Sequence, residues 1–220
     1  MTRFILLFTV CSLAGASTVW HEGDDGTGDA GNLPSTAEFT IGLGPLTAIT
    51  GTLGDVASGA DMYEIYLTGV GTFTATITGH GANPVTNPAI YLFDANGNGV
   101  EADDNTASSL LGSISVTGLN AGNYYILITS AGHVPTDGTS QIFPGLTNST
   151  AEEGPGASVG PIAGYHNTSG GNAASPANTG KGYEIDFSSN VDFSGAPEPA
   201  TVGITALGLG AIALRFRRKA

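Results

Sequence analysis

From Thr72 to Thr78 the chain alternates without a break: Phe73, Ala75 and Ile77 are separated by Thr72, Thr74, Thr76 and Thr78. Successive side chains of a strand point to opposite faces, so this segment has one apolar face and one hydroxyl face and fits a half-buried β-strand. Gly182 to Ser188 repeats the pattern, with Tyr183, Ile185 and Phe187 set against Glu184, Asp186 and Ser188. No stretch has a convincing 3.6-residue apolar period, and Gly makes up 34 of 220 residues, so frequent turns are expected and long helices are not. Further strands are expected at Phe39 to Ile41, Ala48 to Leu53, Met62 to Thr68, Ala89 to Asp94, Ser113 to Thr117 and Asn123 to Thr129, mostly separated by Gly, Asn, Asp or Pro. About eight short strands without helical interludes predict an all-β domain, an antiparallel β-sandwich or jelly roll. Its core should draw on Ile49, Ile65, Phe73, Ile77, Leu92, Ile114, Val116, Ile126 and Ile185.

That domain is expected to cover residues 37–195, after an acidic, glycine-rich segment at 17–36. Two stretches do not read as strands. One is Trp20 to Pro34, and the other is Pro135 to Gly180, which spans 46 residues with few apolar anchors: Ile142, Phe143, Leu146, Val159, Ile162 and Tyr165. A loop that long inside a domain either packs as a surface of its own or is partly disordered, and the anchors favour packing.

The ends are of a different kind. Met1 to Ala16 has one basic residue, Arg3, then the apolar run Phe4 to Val10, and closes on Ala14-Gly15-Ala16. Small residues at Ala14 and Ala16 form an A-x-A cleavage pattern, so a signal peptide is expected, read by the Sec translocon and signal peptidase, with the mature chain starting at Ser17. Cys11, the only cysteine, would leave with it. The mature chain then has no disulfide and no thiolate. Between Ser17 and Pro197 the only Lys or Arg is Lys181, whereas every acidic residue but Glu198 lies there. A surface this acidic repels nucleic acid and anionic lipid headgroups and favours divalent cations.

Residues 196–220 hold Pro197-Glu198-Pro199, an uncharged stretch from Ala200 to Leu214, and a basic end with Arg215, Arg217, Arg218 and Lys219. As a helix the stretch reaches only about 23 Å, against a hydrocarbon core of about 30 Å. It would be a marginal, transient inner-membrane anchor, with the basic cluster stopping it at the cytoplasmic face.

In that order, the three parts resemble the PEP-CTERM sorting signal, also known under an ice-binding label that describes its history and not an activity. The resemblance covers about 24 residues. It implies recognition and cutting by an exosortase at or beside Pro197, Glu198 and Pro199, and a Gram-negative host with exopolysaccharide-linked export. In the body, Asp61-Met62-Tyr63, Tyr91 to Gly99, Asp103-Asp104, Ala121 to Ile126 and Gly182-Tyr183-Glu184-Ile185 resemble the bacterial pre-peptidase C-terminal domains. That resemblance implies a β-sandwich of the kind found beside secreted proteases. No peptidase domain accompanies it here.

Asp94-Ala95-Asn96-Gly97-Asn98-Gly99 matches positions 1, 3, 5 and 6 of an EF-hand-like calcium loop, and Asp103 and Asp104 follow. Hard oxygen ligands at alternate positions of a tight loop suit Ca²⁺, which makes Asp94, Asn96, Asn98, Asp103 and Asp104 the candidate ligands. Position 12 is Asn105 rather than a bidentate Glu, and an Asn-Gly hairpin turn accounts for the same string. Gly156 to Gly160 has the G-x-S-x-G form of a hydrolase elbow at Ser158, without the strand–turn–helix context that chemistry needs. Gly26 to Gly31 spells G-x-G-x-x-G but follows no expected strand and places Asp29 where a phosphate would lie. His21, His80, His133 and His166 are isolated, and the threonine row of residues 72–78 is one row, not the plane that ice binding requires.

The expectation is therefore an exported, non-catalytic protein, located in the envelope, at the outer surface or outside the cell. It would act as a matrix or adhesion component, with exopolysaccharide or a surface glycan as partner and no required cofactor. A calcium-dependent glycan- or protein-binding module is the alternative, and a secreted serine hydrolase using Ser158 is the third.

Overall fold

The computed structural model describes residues 18–26, 28–54, 59–69, 71–146, 149–168 and 178–195. The regular elements among them are thirteen strands. One sheet runs in the order β1 (Val19–His21), β3 (Ala48–Thr52), β12 (Gly182–Phe187), β5 (Thr72–Gly79), β8 (Ser113–Thr117). A second runs β13 (Val191–Phe193), β4 (Ala60–Leu67), β9 (Gly122–Ser130), β6 (Pro88–Asp94), β7 (Gly99–Asp103), with β2 (Glu38–Phe39) also pairing with β4. A small hairpin-like pair joins β10 (His133–Thr136) to β11 (Gly164–Asn167).

All eight expected strands have a counterpart, although the one expected at Phe39 to Ile41 is the two-residue β2, which ends at Phe39. The sequence reading missed β1, β7, β10, β11 and β13. It also expected a purely antiparallel fold, and the sheets are mixed, because β1 pairs with β3 and β2 with β4 in parallel. A parallel pair needs no tight turn between its strands and so leaves no hairpin signal in the sequence. The expected signal helix and C-terminal helix, with Ala14, Ala16, Pro197, Glu198, Pro199, Arg215, Arg217, Arg218 and Lys219, lie outside the described residues. Among the described residues no helix is long and apolar enough to cross a membrane.

The alternation of β5 is realised directly: Phe73, Ala75 and Ile77 are buried and the threonines face outward. The inner faces of both sheets meet in one cluster, with Ile49, Phe73, Ile77, Ile114 and Ile185 from one and Tyr63, Ile65, Ile90, Leu92, Ile126 and Ile128 from the other. Val116, expected in the core, is partly buried at its margin. The second sheet is covered on its other face too. There Met62, Ala89, Tyr91, Phe93 and Leu127 pack against Ile142, Phe143, Leu146 and Ile162 of the long segment after β10. This is why β4 and β6 read as almost continuously buried rather than alternating.

The long segment is thus a cover for a sheet, through residues 135–146 and 149–168. Phe143 sits 5.6 Å from the Tyr91 ring and 5.8 Å, edge-on, from Phe93. Backbone bonds fix its register: Ile162 N–H donates to the Gly97 carbonyl at 2.9 Å, and Ala102 and Glu153 exchange bonds at 3.0 and 2.8 Å. Asp137 ties its start to its far side. Its Oδ1 accepts the Thr139 and Ser140 N–H groups at 2.9 and 2.7 Å, and its Oδ2 accepts the Gly160 N–H at 3.1 Å.

Candidate functional site

At one end of the inter-sheet core the apolar packing gives way to acids and phenols. β4 points Asp61, Tyr63 and Ile65 toward the other sheet, and β12 points Tyr183 and Ile185 back. The Tyr183 hydroxyl donates to Asp61 Oδ2 at 2.8 Å, and the Tyr63 and Tyr183 oxygens lie 2.6 Å apart. Asp61 Oδ1 accepts the Gly54 N–H at 3.4 Å. Glu22, just after β1, reaches the same place and accepts the Ala30 N–H at 2.9 Å and the Thr52 N–H at 2.8 Å. Gly51 leaves the room for this meeting: a Cβ on it would lie 2.6 Å from Glu22 Oε2 and would also strike the Tyr183 hydroxyl.

Glu22, Asp29 and Asp61 each bring a carboxylate oxygen within 4.8 Å of the others. Asp61 is fully buried, Glu22 partly buried and Asp29 exposed. Lys181 is the only Lys or Arg among the described residues, so side-chain cations cannot balance this charge in general. Loss of water pushes the Asp61 carboxyl well above the usual range, and the charge of Glu22 adds to the push. Burial also raises Glu22, against the lowering effect of its hydrogen bonds from Ala30, Thr52 and Tyr63. Both phenols are pushed up, again chiefly by burial.

Proton counting gives the upward push on the two acids a structural cause. Three contacts link Asp61, Tyr183, Tyr63 and Glu22, but the two phenols supply only two protons. When Asp61 takes up a proton its contact with Tyr183 reverses, so that Asp61 donates to Tyr183, Tyr183 to Tyr63 and Tyr63 to Glu22. An ionised Asp61 leaves one contact without a proton. A divalent cation is the other way to relieve the site. Ligands about 2.4 Å from a shared Ca²⁺ lie no more than about 4.8 Å from one another, and the three carboxylates meet that spacing. A shallow groove of about 460 Å³, lined by Glu22, Asp29, Thr52, Gly54 and Gly180 among others, opens beside the cluster.

The sequence-predicted calcium loop is arranged differently. Asp94, Asn96 and Asn98 come together as the turn between β6 and β7, with Gly97 at φ +82°. Asp94 Oδ1 accepts the Asn96 and Asn98 N–H groups at 2.8 and 2.9 Å, and Oδ2 accepts the Asn98 side-chain amide at 2.9 Å. Asp103 and Asp104 are not brought to this turn. Asp103 pairs with Ile90 at the far end of β7, and its Oδ2 accepts the Ser113 N–H at 2.8 Å. Four residues of strand, about 13 Å, separate Asp94 from that pairing.

Ser158 lies exposed in a turn at φ +64°, the single positive value found for a non-glycine residue among those described. Among the described residues no helix follows it. The histidines are dispersed: His21 bonds Thr50, His80 meets Glu184 at 3.2 Å, and His133 bonds Asn167 and stacks on Tyr165. Sequence reasoning missed the Glu22–Asp29–Asp61 cluster, whose only advance signal was the acidity of the segment after Trp20. Comparison with known protein families matches no family model, and comparison with curated proteins finds no match.

Proposed function

We propose that this chain is an exported, non-catalytic β-sandwich protein, sorted through a Gram-negative envelope by an exosortase-type system, and that it works as a matrix or adhesion component in an exopolysaccharide-rich layer. The observation that carries the reading is the use made of the acidic side chains. Asp94, Asp103, Asp137 and Glu22 accept backbone N–H groups and hold turns and strand ends. Acidity here serves the frame, and it keeps the outer surface hydrated and repulsive toward like-charged chains. A second core under the long segment lends stability to a fold with no disulfide. The A-x-A leader and the Pro197-Glu198-Pro199 tail supply the route. Intact-mass measurement on envelope and medium fractions tests it: the mature protein should begin near Ser17 and lack residues from Ala200 onward. Recovery of chains still carrying Arg217 and Arg218 would refute the sorting step.

The second reading, a calcium-dependent glycan- or protein-binding module, is favoured by the convergence of Glu22, Asp29 and Asp61 within 4.8 Å. A cation bound only by the folded state stabilises it by mass action, about 2.7 kcal/mol at a hundredfold excess over Kd. Thermal melts with millimolar calcium should then rise by several degrees over melts in chelator, and the rise should vanish in Asp29→Asn. Coincident melts with and without calcium would dispose of this reading.

A further inference from the structure

Phe39, Ile41 and Leu43 are turned away from the core. Thr40 between them is fully buried, its hydroxyl donating to the Glu64 carbonyl at 2.8 Å, while Phe39 is 55%, Ile41 67% and Leu43 55% exposed. The alternation is inverted, with the polar residue inside and the apolar residues outside, and such a row is the mark of a contact surface. Beside it opens a recess of about 190 Å³ walled by Trp20, Phe39 and Ile41, with Asp25, Asp29 and Glu38 around it. A small-molecule pocket usually measures about 300–1,000 Å³, so this recess suits a single side chain.

The acids at this place are positioned by the fold. Asp25 Oδ2 accepts the His21 N–H at 2.8 Å, and Gly26 makes room for Glu38, whose carboxylate a Cβ there would strike. Lys181, the only Lys or Arg among the described residues, does not line the recess. Trp20 in the wall is 2% exposed, and its Nε1–H meets no acceptor among the described residues. A buried donor left unmet calls for an explanation, and a ligand that brings an acceptor is one. We propose that the recess receives a lysine side chain from an apolar surface segment of a partner protein.

Three arguments choose this occupant. Charge complementarity requires a cation, because Asp25, Asp29 and Glu38 repel an anion. The apolar wall then selects lysine over an inorganic ion, since its methylene stem packs along Phe39 and Ile41 while its ammonium stays among the carboxylates. Finally, Ile41 and Leu43 continue the apolar surface past the recess, so apolar neighbours of that lysine cover them, and a peptide carbonyl offers the acceptor that Trp20 lacks and a free amine cannot bring. A second copy is disfavoured, because each chain carries a formal net charge of −13. The inference goes beyond the matrix reading and depends on neither the sorting route nor calcium.

The test uses the full chain in dilute, lipid-free buffer with chelator. Trp20 is the only tryptophan, so a single indole N–H resonance reports on the recess. Titration with acetyl-leucyl-lysyl-leucinamide should move that resonance saturably, and acetyl-leucyl-glutamyl-leucinamide should not. Half-saturation should need about tenfold more lysyl peptide in Glu38→Gln and in Ile41→Ser, the second of which alters a side chain that is mostly in water. A resonance that stays still would overturn the proposal, and so would equal movement with the glutamyl peptide. Unchanged half-saturation in both variants would place the peptide elsewhere on the acidic surface. The proposal also fails if butylammonium moves the resonance as strongly as the lysyl peptide, which would make the ligand a small amine, or if methyl glucoside moves it and the lysyl peptide does not, which would make it a sugar.

Discussion

Asp61 and Asp137 are aspartates of one acidic chain, and folding treats them in opposite ways. Asp61 enters the inter-sheet core, where it receives one phenol and one long backbone bond and has Glu22 and Asp29 for neighbours. Desolvation dominates there, and its carboxyl is pushed well up. Asp137 stays in contact with water at the foot of the long segment and receives N–H groups from Ser140, Gly160 and Thr139 and the Thr139 hydroxyl at 2.8 Å. Those donors hold it well below the usual carboxylate range, the Ser140 bond first. With Lys181 the only Lys or Arg described, backbone donors take the part that side-chain cations play elsewhere. Where donors run short, loss of water favours the protonated acid.

The comparison also sets two regions apart. Asp61 belongs to the frame, while Asp137 fastens a cover whose energy comes from apolar anchors. Phe143→Ala should therefore have the largest effect, about 3–5 kcal/mol in urea unfolding, because its ring packs against both Tyr91 and Phe93. A loss below about 1 kcal/mol would mean that the segment is an ornament and the second cluster no core.

The next effect is in pH. A folded-state carboxyl raised above its unfolded value of about 3.9 binds a proton that the unfolded chain releases, so the stability it gives is full at lower pH and drains as pH rises toward the raised value, by about 1.4 kcal/mol per unit. Wild-type stability should fall as pH rises above about 4. Asp61→Asn should flatten that slope, since its amide can donate to Tyr183 as the protonated acid does. Some slope remains from Glu22, which burial also raises. Parallel pH profiles for wild type and Asp61→Asn would show that Asp61 is not the proton binder.

Legibility followed coverage. β5 and β12 were readable because one face is wet and the other dry, so Thr74 and Glu184 alternate with Phe73 and Ile185. β7, with Val100 and Ala102 as its apolar residues, and the three-residue β1 and β13 are too short to carry a period. The second core was legible only as scattered anchors, since Ile142, Phe143, Leu146 and Ile162 follow no repeat. The candidate site was not legible at all. Glu22 and Asp29 come from a glycine-rich stretch, and Asp61 joins them only because β1, β3 and β12 align beside β4's inner face. The Asp94 string, by contrast, was visible but ambiguous: the oxygens that could ligate calcium are those that accept the turn's own N–H groups.

The smallest expected effect is that of Asp137→Asn, and it sharpens the contrast most. The stability Asp137 gives is complete above its unfolded value and is lost only as pH falls through the lowered folded one. At neutral pH the variant loses a charged acceptor shared by three amides, while Ile142, Phe143 and Ile162 stay buried. Hydrogen exchange should accelerate at Thr139, Ser140 and Gly160 with the urea midpoint nearly unchanged, because the opening is local. A midpoint falling as far as in Phe143→Ala would mean that the cover is held by its acid rather than by its anchors, and the division between frame and fastening would be gone.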